Sequence, residues 1–143
     1  HTPILSLHDD ARRALTRLGS VARLALISDG PSATQSAKID ALAIRPVFEH
    51  IILTDELGEG MGKPNPSAFE RVMAHFAARP AQCAYVADNP AKDFVAPNQL
   101  GWTSVRVLRP DGIYANTSPA PGGEPAVTLH SLDDLDAHLP MLR

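Results

Sequence analysis

The sequence predicts a parallel, doubly wound α/β sheet with helices on both faces, because strand-like runs alternate with segments of helical period along the chain. Three observations carry that expectation. Short, nearly continuous apolar runs, such as Leu24 to Ile27 and Ile51 to Leu53, read as strands buried on both faces. Segments with apolar residues at helical spacing separate these runs, and loops rich in Gly, Pro, Asn and Asp follow their ends. With 143 residues, 44% hydrophobic and 20% charged, the chain has the mass for one core and not for two full domains. Residues 1–143 are therefore expected to form a single core domain.

Each element follows from local chemistry. Ser6 and Asp9 mark a helix start, and Leu7, Ala11, Ala14, Leu15 and Leu18 recur at helical spacing until Gly19 ends the run. Val21 to Ile27 is a short strand that stops at Ser28-Asp29-Gly30-Pro31. Past Pro31, Ala33, Ala37, Ile39, Ala41 and Leu42 suit a helix, and His50 to Thr54 forms the next strand. Gly58 to Pro66 is a loop, with Asn65 placed to cap and Pro66 at the first position of a helix that contains Phe69, Val72, Met73 and Phe76. Cys83 to Ala87 is the third strand and runs into a turn-rich loop with a carboxylate at each end, Asp88 and Asp93. Pro97 keeps the helix before Gly101 short, so Asp88 to Val95 is expected to be largely irregular. Thr103 to Leu108 and Ala126 to Leu129 are the last strands, and Ser131 with Asp134 caps a final helix to Leu139.

Composition removes several function classes. Thirteen Lys+Arg against 16 Asp+Glu give a net charge of -3, without the broad positive field of a nucleic-acid binder. No apolar run approaches the roughly 20 residues that a membrane-spanning helix needs. One cysteine, Cys83, makes neither an internal disulfide nor a multi-cysteine zinc site, and a reducing cytoplasm suits such a chain. The six histidines show no metal-ligand spacing. The chain begins His1-Thr2-Pro3, without a signal-peptide pattern, which reads as a fragment boundary.

In doubly wound sheets, ligands bind at the carboxyl ends of the strands. That rule brings Ser28-Asp29-Gly30, Gly62-Lys63-Pro64-Asn65-Pro66 and the Asp88 to Asp93 loop to one edge. The Ser28 hydroxyl and the backbone N–H groups of Asp29 and Gly30 suit a phosphate at a helix start. Lys63 offers a compact cation for a phosphoryl group and nearby carboxylates. Asp88 and Asp93 are hard oxygen ligands of the kind that hold magnesium while it keeps waters and a substrate phosphate. Together these groups suggest phosphoryl-transfer chemistry. Each also has a plainer reading: Ser28 as a turn or cap serine, Asp29 as a solvated turn residue, Lys63 as a surface lysine, and Asp88 with Asp93 as turn caps.

Ile27-Ser28-Asp29-Gly30, Gly62-Lys63-Pro64-Asn65-Pro66 and Val86-Ala87-Asp88-Asn89-Pro90-Ala91-Lys92-Asp93 resemble, in order, motifs II, III and IV of the haloacid dehalogenase-like (HAD) hydrolases. Leu100-Gly101-Trp102-Thr103 and Ser131-Leu132-Asp133-Asp134-Leu135 resemble that family's closing elements. The resemblance implies a Rossmann-like core and a magnesium-dependent phosphatase acting on a small phosphorylated metabolite through an aspartyl-phosphate. It implies that Ser28 binds the phosphoryl group with the following amides, that Lys63 stabilises nucleophile and phosphoryl charge, and that Asp88 and Asp93 hold Mg2+. Ala87 stands where the family usually has glycine.

The family's nucleophile sits in a D-x-D after a first strand, and this chain has no D-x-D after an apolar strand. The strand that carries it would lie between those ending in Ser28 and Asp88, so an apolar slot is expected there. The expected function is thus a phosphatase core whose nucleophilic aspartate lies outside this chain. The alternatives are a noncatalytic module binding a phosphorylated ligand or a partner protein, and a core whose missing strand comes from a second chain. Asp111 to Glu124 is long and turn-rich enough to act as a flap over the site. No nucleic-acid or membrane partner is expected.

Overall fold

In the computed structural model, residues 5–139 are described. Among them, α-helices and strands alternate as far as β4: α1 (Asp9–Gly19), β1 (Ala25–Ser28), α2 (Ser32–Ala41), β2 (His50–Leu53), α3 (Ser67–Phe76), β3 (Ala84–Ala87), α4 (Val95–Leu100), β4 (Thr103–Val107) and then β5 (Val127–Leu129). Every ladder is parallel: β1 pairs with β2, β3 with β4, and β4 with β5. The α/β class is as the sequence predicts, but the described strands form two sheets, β1-β2 and β3-β4-β5. Among the described residues no ladder joins β1 to β3, so each of these strands keeps an unpaired edge. All four residues of β3 stay only half-buried, whereas four of the five in β4 are buried.

Two apolar layers hold the halves together. On one face Phe69, Ala68 and Val72 of α3 pack with Ile27 of β1, Ile52 of β2, Trp102 and the ring of Tyr85 of β3. On the other, Leu18 of α1 packs with Leu24, Val86, Val105 and the C-terminal leucines Leu129, Leu135 and Leu139. Phe69 and Val105 are fully enclosed, and each removes from water the apolar area that drives folding.

Several local expectations shift. Ser6 does not cap α1; the cap position is His8, without a side-chain bond, and Asp10 accepts from the Ala11 N–H instead. The buried face of α1 is Asp10, Ala14 and Leu18, while Leu7, Ala11 and Leu15 are half-covered. Val21 is exposed and lies in a turn, so β1 starts only at Ala25. Asn65 does accept from the Ser67 N–H, with α3 starting one residue past Pro66. The final helix is replaced by two 3-10 turns, Leu132–Asp134 and Asp136–His138. Its first residue is held from outside: Asp10 accepts from the Leu132 N–H and Arg17 donates to the Leu132 carbonyl. Ser131 does accept from the Asp133 N–H, as a cap would.

Candidate active site

Because the strands are parallel, the segments leaving β1, β2 and β3 emerge on one edge, and their side chains meet there. Asp29, one residue past β1, is the hub. Its carboxylate accepts from Thr54 Oγ1 at 2.8 Å, from the Lys63 N–H at 3.2 Å and from Lys92 Nζ at 2.9 Å. Asp29 is therefore not a solvated turn residue: its side chain is 15% exposed. Burial pushes its carboxyl up, yet the bonds from Lys92 and Thr54 and the Lys63 charge outweigh this and hold it low. Gly62 permits the close approach, since a Cβ there would stand 3.3 Å from the Asp29 carboxyl carbon. Gly30 has φ +102, a conformation that glycine adopts without strain. The Ser28 hydroxyl donates to Gln35 Oε1 at 2.8 Å, so α2 orients it.

Lys63 is not a surface lysine; its side chain is 9% exposed. Nζ lies 2.8 Å from Tyr85 Oη and 3.0 Å from Asp93 Oδ1. Burial alone would favour the neutral amine, but Tyr85, Asp93 and Asp29 reverse that and raise it above the ordinary lysine range. Asp93 is buried, and its Oδ2 accepts from the Asn89 N–H at 2.9 Å. Its Oδ1 faces Lys63 off the direction of a hydrogen bond and has no directed donor among the described residues. Asp88, just past β3, still reaches solvent. Partial desolvation first, then the charge of Asp93, push its carboxyl up.

Asp88 and the orphan Oδ1 of Asp93 form a donor set of hard oxygens, which fits a magnesium ion that keeps waters and a substrate oxygen. It does not fit an all-protein cage: among the described residues no three His, Cys, Asp or Glu side chains are grouped to hold a metal.

Of the residues singled out by sequence, Asp29, Lys63 and Asp93 are brought into contact, Asp29 with Lys63 and Lys63 with Asp93, while the Ser28 hydroxyl is turned to Gln35. Sequence reasoning missed Thr54, Gln35, Lys92 and Tyr85. Thr54 follows β2 as Asp29 follows β1, and position alone could have flagged it. The 111–124 segment, expected as a flap, is tied down beside the Asp88–Asp93 loop: Ala120 donates to the Pro90 carbonyl, Asn98 to those of Gly122 and Glu124, and Arg106 to those of Tyr114 and Thr117. Cys83 is a buried thiol that donates to the Arg79 carbonyl, and burial pushes it up.

Comparison with known proteins gives a consistent picture. A family model described as haloacid dehalogenase-like hydrolase matches residues 4–101. The glyceraldehyde 3-phosphate phosphatase of Methanopyrus kandleri is 29% identical over 97 residues, covering 68% of this chain and 40% of that protein. The N-acylneuraminate-9-phosphatase of Rattus norvegicus is 30% identical over 118 residues, covering 82% of this chain and 47% of that protein. Among solved structures, a HAD phosphatase from Thermococcus onnurineus superposes with a TM-score of 0.76 at 20% identity, over 92% of this chain and 57% of that one. The chain thus spans less than half the length of these two curated relatives.

Proposed function

The chain belongs to the haloacid dehalogenase-like hydrolases, and from that premise we propose that it is the phosphate-handling core of a phosphatase acting on a small phosphorylated metabolite. The observation that carries this reading is Lys63, a buried cation between Tyr85 and Asp93, on the edge that also presents Ser28 and the amides before α2. The relatives support the substrate class, since one is a glyceraldehyde 3-phosphate phosphatase and the other an N-acylneuraminate-9-phosphatase.

In the proposed reaction an aspartate carboxylate attacks phosphorus, the alcohol leaves, and water then hydrolyses the aspartyl-phosphate. No D-x-D follows an apolar strand in residues 1–143, so the nucleophile is proposed to come from outside them. Ser28 and the backbone N–H groups of Asp29 and Gly30 bind the phosphoryl oxygens. Lys63 neutralises charge that builds on nucleophile and phosphoryl group, and its burial makes that charge count for more than it would in water. Asp29 positions Lys63 by fixing its backbone N–H. Asp88 and Asp93 would hold Mg2+, which supplies charge neutralisation at the phosphoryl oxygens. The enzyme is proposed to work in the cytoplasm; no helix among the described residues is long and apolar enough to cross a membrane.

A second arrangement has an observation of its own. The unpaired edges of β1 and β3 would accept one parallel strand, and that strand would come from a second chain. The test of the main reading is phosphate release from p-nitrophenyl phosphate by the native full-length protein, with and without Mg2+. Release that needs Mg2+ and is lost in Asp88→Asn supports the phosphatase; an inert, monomeric full-length protein that still binds inorganic phosphate would sink it in favour of a noncatalytic module.

A further inference from the structure

Tyr85 is a half-buried polar residue that the proposed reaction leaves without a task. It sits on β3, and its hydroxyl is 2.8 Å from Lys63 Nζ. That contact is the one directed hydrogen bond of the ammonium among the described residues, because Asp93 Oδ1 lies at 3.0 Å without hydrogen-bond geometry. The ring cannot wander. Phe69 meets it edge to face, with centroids 4.8 Å apart and planes at 81°, and Phe69 meets Trp102 the same way at 5.4 Å and 84°. Phe69 is fully enclosed, and Trp102 is buried. An aromatic stack rooted in the core thus ends in one oxygen placed against the site's lysine.

A lysine stem has four rotatable bonds, so burial does not by itself fix where its three N–H groups point. One directed acceptor does. With one N–H on Tyr85, the other two are left to face Asp93 and an incoming phosphoryl oxygen. We propose that Tyr85 is a positioning residue, whose hydroxyl aims the Lys63 ammonium at the phosphoryl group. The inference rests on the phosphatase reading, and its action runs through Lys63 alone. Tyr85 touches no reacting atom, so it is not a catalytic residue.

Two measurements on the native full-length protein test this, using Tyr85→Phe, which keeps the ring on Phe69 and removes only the oxygen. The first needs no catalysis: acylation of each lysine by acetic anhydride, followed by peptide mass spectrometry. Lys63 is expected to react about tenfold faster in the variant, the size of one lost hydrogen bond to a charged group. Lys38 serves as the internal reference, and unchanged Lys63 labelling overturns the proposal. The second is turnover of p-nitrophenyl phosphate in a double-mutant cycle. Tyr85→Phe is expected to lower kcat about tenfold with KM nearly unchanged, and to have no further effect in a Lys63→Ala background. An equal loss in both backgrounds would mean that Tyr85 acts on the fold and not through Lys63. A wild-type protein that hydrolyses nothing rejects the phosphatase reading, while the labelling result still decides the positioning.

Discussion

Two ion pairs of nearly the same length, one buried and one partly buried, have different surroundings in this molecule. Arg109 and Asp10 approach to 3.1 Å, and Lys63 and Asp93 to 3.0 Å. Around Asp10 every demand is met: its carboxylate accepts from Arg109, from the Leu132 N–H at 2.8 Å and from the Ala11 N–H at 3.0 Å. Those bonds tie the start of α1 to the segment after β5, and they outweigh the cost of burial to hold the Asp10 carboxyl down to about 2. Asp93 is satisfied on one oxygen only. A buried polar atom without a directed partner costs about 1–3 kcal/mol, and structures tolerate that where a ligand completes it. The satisfied pair is a clamp, and the unsatisfied one belongs to the candidate site.

The largest expected effect breaks the second pair. Lys63→Met removes the cation between Tyr85 and Asp93 and leaves Asp93 buried beside Asp88 with no compensating charge. Turnover by the full-length protein should fall by about a thousandfold, the upper range for one donor to a developing anion. Urea titration should show unfolding easier by about 3 kcal/mol, because half of a buried pair is gone. Retained turnover would move the phosphate site away from Lys63.

Breaking the clamp should do the reverse. Asp10→Asn keeps the shape but loses the charge that faces Arg109, and about 2 kcal/mol of stability should go with it. Phosphate turnover should stay within about twofold, since no kinetic step uses Asp10. A collapse of activity at unchanged stability would show that the two regions are not separable. The same variant should blunt the acid response. A carboxyl held at about 2 when folded, against 3.8 unfolded, adds stability above its unfolded value that is lost as pH falls through the folded one. The slope of stability with pH between those two values should therefore be smaller in Asp10→Asn than in the wild type, read from urea midpoints across that window.

The contrast also explains what the sequence could and could not disclose. Asp29, Lys63 and Asp93 were legible because parallel strands deliver their following loops to one edge, and in the folded chain Asp29 holds the Lys63 N–H while Lys63 faces Asp93. Tyr85 was not, because a tyrosine in an apolar strand reads as core, and its hydroxyl matters only once Lys63 arrives from another loop. Lys92 reads as a turn lysine until Asp29 is brought to it from across the unpaired edges. The final helix failed for the same kind of reason. Its local pattern was helical, but Asp10 and Arg17, more than a hundred residues earlier, take both backbone groups of Leu132. Local signals fix strands and loops; contacts between distant segments decide which of their polar groups are spent.

The smallest expected effect concerns the same junction between α1 and the C-terminal turns, seen from its outer surface. Arg13 meets Asp133 through two hydrogen bonds, at 2.8 and 3.0 Å, a fork geometry as regular as the Arg109 clamp. Geometry alone would rank the two pairs together. Their surroundings do not: the Arg13 and Asp133 side chains are 55% and 44% exposed, against 24% and 10% for Arg109 and Asp10. Water and salt screen the outer pair, and holding two long side chains in one geometry costs rotamer freedom. Arg13→Ala should therefore leave the urea unfolding midpoint close to that of the wild type, with turnover unchanged. A loss as large as that of Asp10→Asn, measured by the same urea titration, would show that Arg13 props up the Arg17 network and that burial is not what separates the two pairs.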